Sequence, residues 1–309
     1  MNSTYAAQTR DFLARHQLPT GDARELPASE GTFDDGGKYG IELSSINSAS
    51  VLKAAVKLAK EHSLRVSRCD ECRGITRLPK ADILEMVRVG AGEGIGLVFS
   101  VGPRAIYDTG GFVRSPNGRR MGYRLRGMEQ VVRAVDCVKR AADLGVRGFL
   151  IYDMGLLTLL NQLRAAGELP STSIFKVSVH MGCANPLSAR VYQDLGAGTI
   201  NPVPDLDLGM ISAMRAAVSC PLDLFSDTAA EAGGLLRTDE VPEFVRVASP
   251  IYLKCGAISQ VKQNHLPSPE ELRERVRQTS CVVETLERHG LGDAQVGTSE
   301  PTLALPELS

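Results

Sequence analysis

Residues 147–181 read RGFLIYDMGLLTLLNQLRAAGELPSTSIFKVSVHM. Two apolar runs, Arg147–Asp153 and Phe175–Met181, flank a segment with apolar residues at helical spacing. A strand, a helix and a second strand in that order predict parallel pairing through a right-handed crossover. The unit recurs in both directions along the chain. Further strands are predicted at Gly40–Ile46, Arg65–Asp70, Ile95–Val101, Gly198–Val203, Pro221–Asp227 and Pro250–Cys255, with helices such as Val51–His62 and Glu129–Leu144 between them. Eight such units suit a closed barrel better than an open sheet. The expected fold class is therefore α/β, a single TIM-type (β/α)8 barrel over residues 40–290, ending in a helix over Pro269–His289. Residues 1–39 read as an N-terminal helix (1–18) and a connecting loop. Residues 291–309, rich in Gly, Ser, Pro and Thr, read as a loose tail.

The chain has 309 residues, room for one barrel with extensions, and its 43% hydrophobic and 23% charged residues are ordinary globular proportions. A net charge of −1 argues against general nucleic-acid binding, which needs a basic footprint. No apolar run is long enough to span a membrane, and Arg10, Asp11 and Arg15 break up any secretory signal. Seven scattered cysteines fit free thiols in a reducing compartment, so a cytoplasmic location is expected. Assembly into a homo-oligomer is left open.

In a closed barrel, chemistry sits where the strands end and the following loops begin. The polar residues there include Asp153, Ser178, His180, Asn201, Asp223, Asp227 and Lys254, with Arg68-Cys69-Asp70-Glu71 on the second strand. Strand alternation groups Asp223, Phe225 and Asp227 on one face, and Ser178 with His180. Lys254 is the sharpest candidate: a lysine in an apolar strand suits a base, a Schiff-base nucleophile, electrostatic catalysis or substrate binding, or else a buried ion pair with Asp227 or another acid. Asp153 and Asp227 suit proton transfer or metal ligation, or pairing with Arg68 or Lys254. His180 suits general acid/base work, or a hydrogen-bonded place in the core. Asp153, His180, Asp227 and Lys254 are expected together in one mouth.

Substrate contacts are expected from Arg68, Asp70 and Asn201. The long loop after the third strand carries Arg104, Arg114, Arg119, Arg120, Arg124 and Arg126, whose guanidinium groups could clamp a carboxylate or phosphate; the alternatives are a solvated lid or a subunit contact paired with acidic residues. Gly233-Gly234 and Gly256 follow the last two strands, where many barrels hold phosphate on backbone N–H groups. The pair Cys69–Cys72 has redox or metal-ligand spacing, but no second close pair follows. No cofactor is expected, and the acids leave a divalent metal as the one alternative.

The segment Ser178-Val-His-Met-Gly-Cys-Ala-Asn185 through Leu195-Gly196-Ala197, then Ile200-Asn201, Asp205-Leu206 and Pro221-Leu222-Asp223-Leu224-Phe225, resembles the collagenase-like peptidase family U32. The resemblance covers residues 175–228 well and the rest only as a shared barrel plan. It implies a TIM-type barrel and a peptidase activity. Several members of that family instead support hydroxylation of RNA bases or quinone precursors, often with an iron–sulfur cluster. The present sequence has Asp227-Thr228 where the family has His-Gly, and lacks its downstream cysteine cluster. The residues themselves point to an enzyme acting on a small anionic metabolite by acid/base or lysine-assisted chemistry. The alternatives are a peptidase or other hydrolase, and a non-catalytic barrel subunit.

Overall fold

A computed structural model describes residues 4–21, 25–105, 110–118, 121–260 and 265–308. Its first half runs α1 (Thr4–Arg15), β1 (Tyr39–Leu43), α2 (Ala49–Glu61), β2 (Arg68–Glu71), α3 (Lys80–Glu93), β3 (Gly96–Ser100), a short α4 (Gly111–Arg114), α5 (Gly127–Asp143) and β4 (Gly148–Ile151). The second half runs α6 (Met154–Ala165), β5 (Ile174–Val177), α7 (Pro186–Asp194), β6 (Thr199–Ile200), α8 (Leu208–Ala217), β7 (Leu222–Phe225), α9 (Val241–Ala248), β8 (Ile251–Cys255) and α10 (Pro269–Arg288). The eight strands are parallel and close in sequence order, with β1 pairing β8 from Tyr39↔Ile251 to Leu43↔Cys255. This is the TIM barrel that the alternating pattern predicts.

Several helices start where a short polar side chain takes the first free amides. Ser48, Asp153, Asn185 and Asp207 cap α2, α6, α7 and α8, and Ser268 with Glu271 forms a capping box on α10. Successive strand residues face opposite sides. Outward ones such as Ile41, Leu43, Leu97, Phe99, Phe149, Phe175, Leu224 and Leu253 pack with the helices into the main core. Inward ones are largely polar or charged, so the barrel interior is not the branched aliphatic filling common to this fold.

The bottom of the barrel, at the N-terminal ends of the strands, is closed by two segments. Residues 25–38 bring Phe33, and residues 292–304 bring Val296 and Leu303, onto the inward ring of Tyr252. Phe33 and Tyr252 meet with ring centroids 5.2 Å apart. The Leu303 carbonyl lies where a Cβ on Gly96 would be, so only glycine fits there. The composition of residues 291–309 predicts a loose tail; instead its described part is packed, with Leu303 and Ala304 buried. Leu97 N–H donates to Ala304 O, and Arg147 pairs with Glu307. Apolar residues in a Pro- and Gly-rich stretch order it once a complementary surface exists.

Candidate active site

Six charged side chains fill the barrel axis: Glu42, Asp70 and Asp223 against Arg68, Lys176 and Lys254. They come from β1, β2, β5, β7 and β8, and the three acids balance the three bases. Lys176 Nζ lies 2.6 Å from Glu42 and 3.1 Å from Asp70. Lys254 Nζ donates to the same two carboxylates. Lower down, Arg68 joins Glu42 to Asp223, donates to Thr302 O and stacks over Tyr252, while Thr199 Oγ1 donates to Asp223 at 2.7 Å. Charges removed from water are tolerable only when paired and hydrogen-bonded in this way.

The network sets opposite tendencies on its two upper carboxyls. Burial pushes Glu42 up, but Arg68, Lys176 and Lys254 together hold it well below the usual carboxylate range. Burial, reinforced by the Glu42 charge, leaves Asp70 raised despite the same lysines. Burial lowers Lys176. Burial also opposes the charge on Lys254, yet Asp70 and Glu42 raise it well above its ordinary value, so it stays an ammonium.

Asp70 and Lys254 form the floor of a cavity of about 240 Å³ opening at the C-terminal ends of the strands. An ammonium has three N–H groups. Two go to Glu42 and Asp70, and no described residue takes the third. The walls carry Ser44 and Ser45 after β1, Cys72 after β2, Ser178 and His180 after β5, Asn201 after β6, and Ala257 and Gln260 after β8. Leu150, Val179, Pro204, Phe225 and Ala229 make the rest largely apolar.

Of the residues that the sequence singles out, Lys254, Asp70, His180 and Asn201 meet at this cavity. His180 is not in a strand: β5 ends at Val177, and a 3-10 turn carries the imidazole to the rim, stacked on Tyr123 with ring centroids 3.9 Å apart. Asn201 donates to Asp223 O. The others lie elsewhere. Asp153 caps α6 through Leu156 N–H. Asp227 is buried behind the wall and accepts from Gly256 N–H at 2.8 Å and Ile258 N–H at 2.7 Å. The amides expected to hold phosphate after β8 therefore already hold a carboxylate of the chain itself. Burial raises that carboxyl even so.

Gly233 and Gly234 are exposed, and their amides donate to Ala230 O and Ala229 O within a turn. Arg68 lies beneath the floor. Arg104 is buried over the Tyr123 and Tyr152 rings, and Arg124 caps the carbonyls of Tyr152 and Met181. Arg119 and Arg120 lie outside the described residues. Cys69 faces the helices while Cys72 faces the cavity, so their spacing does not make a shared site. Among the described residues, no group of three or more His, Cys, Asp or Glu is placed to hold a metal ion, and no helix is long and apolar enough to cross a membrane.

Glu42 and Lys176, which sit mid-strand, and Ser44, Ser45 and Gln260 are functional-site residues that the strand-end pattern does not single out. The available signal was a lone charge inside otherwise apolar strands, as in YGIEL and IFKV.

No protein-family model matches the chain, and no curated protein matches it. Among solved structures, a U32 peptidase is 19% identical over 72% of this chain and 79% of its own, with a TM-score of 0.41. A structure described as native KDPGal is 11% identical over 81% of this chain and 94% of its own, at 0.47. A dimeric archaeal Rubisco from Hyperthermus butylicus is 11% identical over 85% and 65%, at 0.48. These likenesses are too distant to speak of activity.

Proposed function

We propose that the protein is a barrel enzyme that transfers a proton on a small metabolite bearing a carbonyl or carboxylate, with Asp70 as the base and Lys254 as the electrophile. The observation that carries this is the Asp70–Lys254 pair opening onto the cavity. A raised carboxyl suits general base work near neutral pH. Asp70 takes a proton from the carbon next to the carbonyl. The C–H electron pair forms the new C=C bond, and the carbonyl π electrons move onto oxygen. The uncommitted N–H of Lys254 meets that oxygen, where such a contact stabilises a developing oxyanion by a few kcal/mol. Return of the proton to the same or the opposite face gives exchange, isomerisation or epimerisation, with His180 across the cavity as a second proton carrier.

Three features favour this over neighbouring readings. A lysine kept as an ammonium is a poor Schiff-base nucleophile. The third-loop arginines Arg104 and Arg124 and the Gly256 amide are committed within the fold, which favours a carboxylate or carbonyl over a phosphate. The cavity is about 240 Å³ with its charged pair at the floor, which favours a small substrate over the peptide implied by the U32 resemblance.

The test is hydrogen–deuterium exchange at carbon. Incubated in D2O with a panel of small 2-oxo and 3-oxo acids, the protein should wash out a carbon-bound proton of at least one member, followed by NMR. Asp70→Asn should slow that exchange by about 10²-fold or more with the fold retained. Exchange unchanged in Asp70→Asn, or none with any member, overturns the assignment.

A further inference from the structure

Ser44 Oγ and Gln260 Nε2 are buried, line the cavity and find no hydrogen-bond partner among the described residues. Their residues are 6% and 7% exposed. An unmet buried polar group is costly, and with Ser45 Oγ three of them stand at one cavity. They come from the loops after β1 and β8, neighbouring strands.

The backbone is arranged to expose this wall. In strand order Glu42 faces the axis, Leu43 the helices and Ser44 the cavity, so Ser45 should turn away. Ser45 instead has φ +59, a left-handed conformation unfavourable for a residue with a Cβ, and its side chain also reaches the cavity. Arg275 of α10 holds the bend by donating to the Ser44 and Ser45 carbonyls. It does so fully buried, with Nε and Nη2 finding no partner among the described residues. A close approach of α10 permits this: a Cβ at Gly256 would collide with the Arg275 side chain.

We infer that Ser44 and Gln260 form the recognition subsite for the carboxylate of the substrate, with Arg275 as a positioning residue. This rests on the reading of Asp70 and Lys254 as the reacting pair. The amide N–H of Gln260 and the hydroxyl of Ser44 donate to the two carboxylate oxygens, and the apolar side formed by Val179, Pro204 and Ala229 takes the rest of a short acid. The net charge of the floor does not oppose an anion. The six-charge floor is neutral while Asp70 is ionised, and becomes positive when Asp70 accepts the substrate proton.

The experiment is binding of acetate, propionate, butyrate and pyruvate to the full-length protein, each against its primary amide, by NMR titration. At least one acid should bind more tightly than its amide. Ser44→Ala and Gln260→Leu should each weaken it about tenfold, and Gln260→Glu, which replaces the donor by a charge of the same sign, should weaken it most. Asp70→Asn should leave the affinity within a few-fold while abolishing exchange. No binding by any acid, amides bound as well as acids, or affinity unmoved in the Ser44 and Gln260 variants overturns the subsite. Exchange surviving in Asp70→Asn with acid binding intact overturns only the reacting pair.

Discussion

The two ends of the barrel use the same chemistry to opposite effect. At the bottom, Arg68 is satisfied by Glu42, Asp223, the Thr302 carbonyl and the Tyr252 ring, and the Tyr252 hydroxyl is 2.8 Å from Thr302 Oγ1. At the top, among the described residues, Lys254 has partners for two of its three N–H groups, and Ser44 and Gln260 have polar atoms with no partner. A completed network holds structure; an incomplete one facing a cavity holds binding capacity at a cost in stability. The distinction is measurable because truncation should hurt where bonds are complete and help or do nothing where they are not.

The largest loss is expected from Arg68→Met, which strands Glu42 and Asp223 in the interior. Removing one partner of a buried pair costs about 3–5 kcal/mol, read as a shifted urea midpoint or as failure to fold. A change below 1 kcal/mol would mean that the lower charges are not what closes the bottom. Next comes Leu303→Ala, which empties the contact against Tyr252 and Val296 and should cost about 2–4 kcal/mol by the same measurement. A loss within error would show that the C-terminal segment docks without contributing.

A third effect depends on pH. Burial pushes Glu71, just below the mouth, up to about 7, opposed by its bonds from Gly74 and Arg73 N–H. Between the unfolded value near 4.5 and about 7 the folded state holds a proton that the unfolded state has lost, so stability falls as pH rises through that window. Glu71's share of the fall is about 3–4 kcal/mol at most, and Glu71→Gln should make the slope shallower by that share in a series of urea curves at pH 4.5 to 8, leaving what the raised Asp70 and Asp227 contribute. An identical slope in both proteins would reject Glu71 as a source of it. The smallest effects belong to the upper wall: Ser44→Ala and Gln260→Leu should change stability by less than about 1 kcal/mol, or raise it, because no bond is broken. A loss of 2 kcal/mol or more (roughly the value of a complete buried bond) would make that wall structural.

Sequence periodicity foretold the barrel because its signal is local. Each predicted strand overlaps an observed one, from Gly40–Ile46 over β1 to Pro250–Cys255 over β8. Lys254, Asp70, His180 and Asn201 were legible because they lie at or near strand ends. Asp153 and Asp227 share that location but bond to backbone amides, Asp153 at the start of α6 and Asp227 in the loop after β8. The third-loop arginines Arg104 and Arg124 are taken up within the fold for a related reason: Arg104 lies over the rings of Tyr123, from its own loop, and Tyr152, after β4, and Arg124 meets the carbonyls of Tyr152 and Met181. That Ser44 and Gln260 are unsatisfied follows only from where every neighbour lies.

The neutral charge cluster also bears on temperature. The hydration of ions weakens as water warms, so the penalty for keeping six charges dry shrinks on heating, while the benefit of burying hydrocarbon levels off. A barrel filled with leucine and valine has no such compensation. The axis of this protein should therefore hold relatively better in heat than in cold, and its stability curve should peak at a higher temperature than that of a variant whose six inward charges are replaced together by apolar residues.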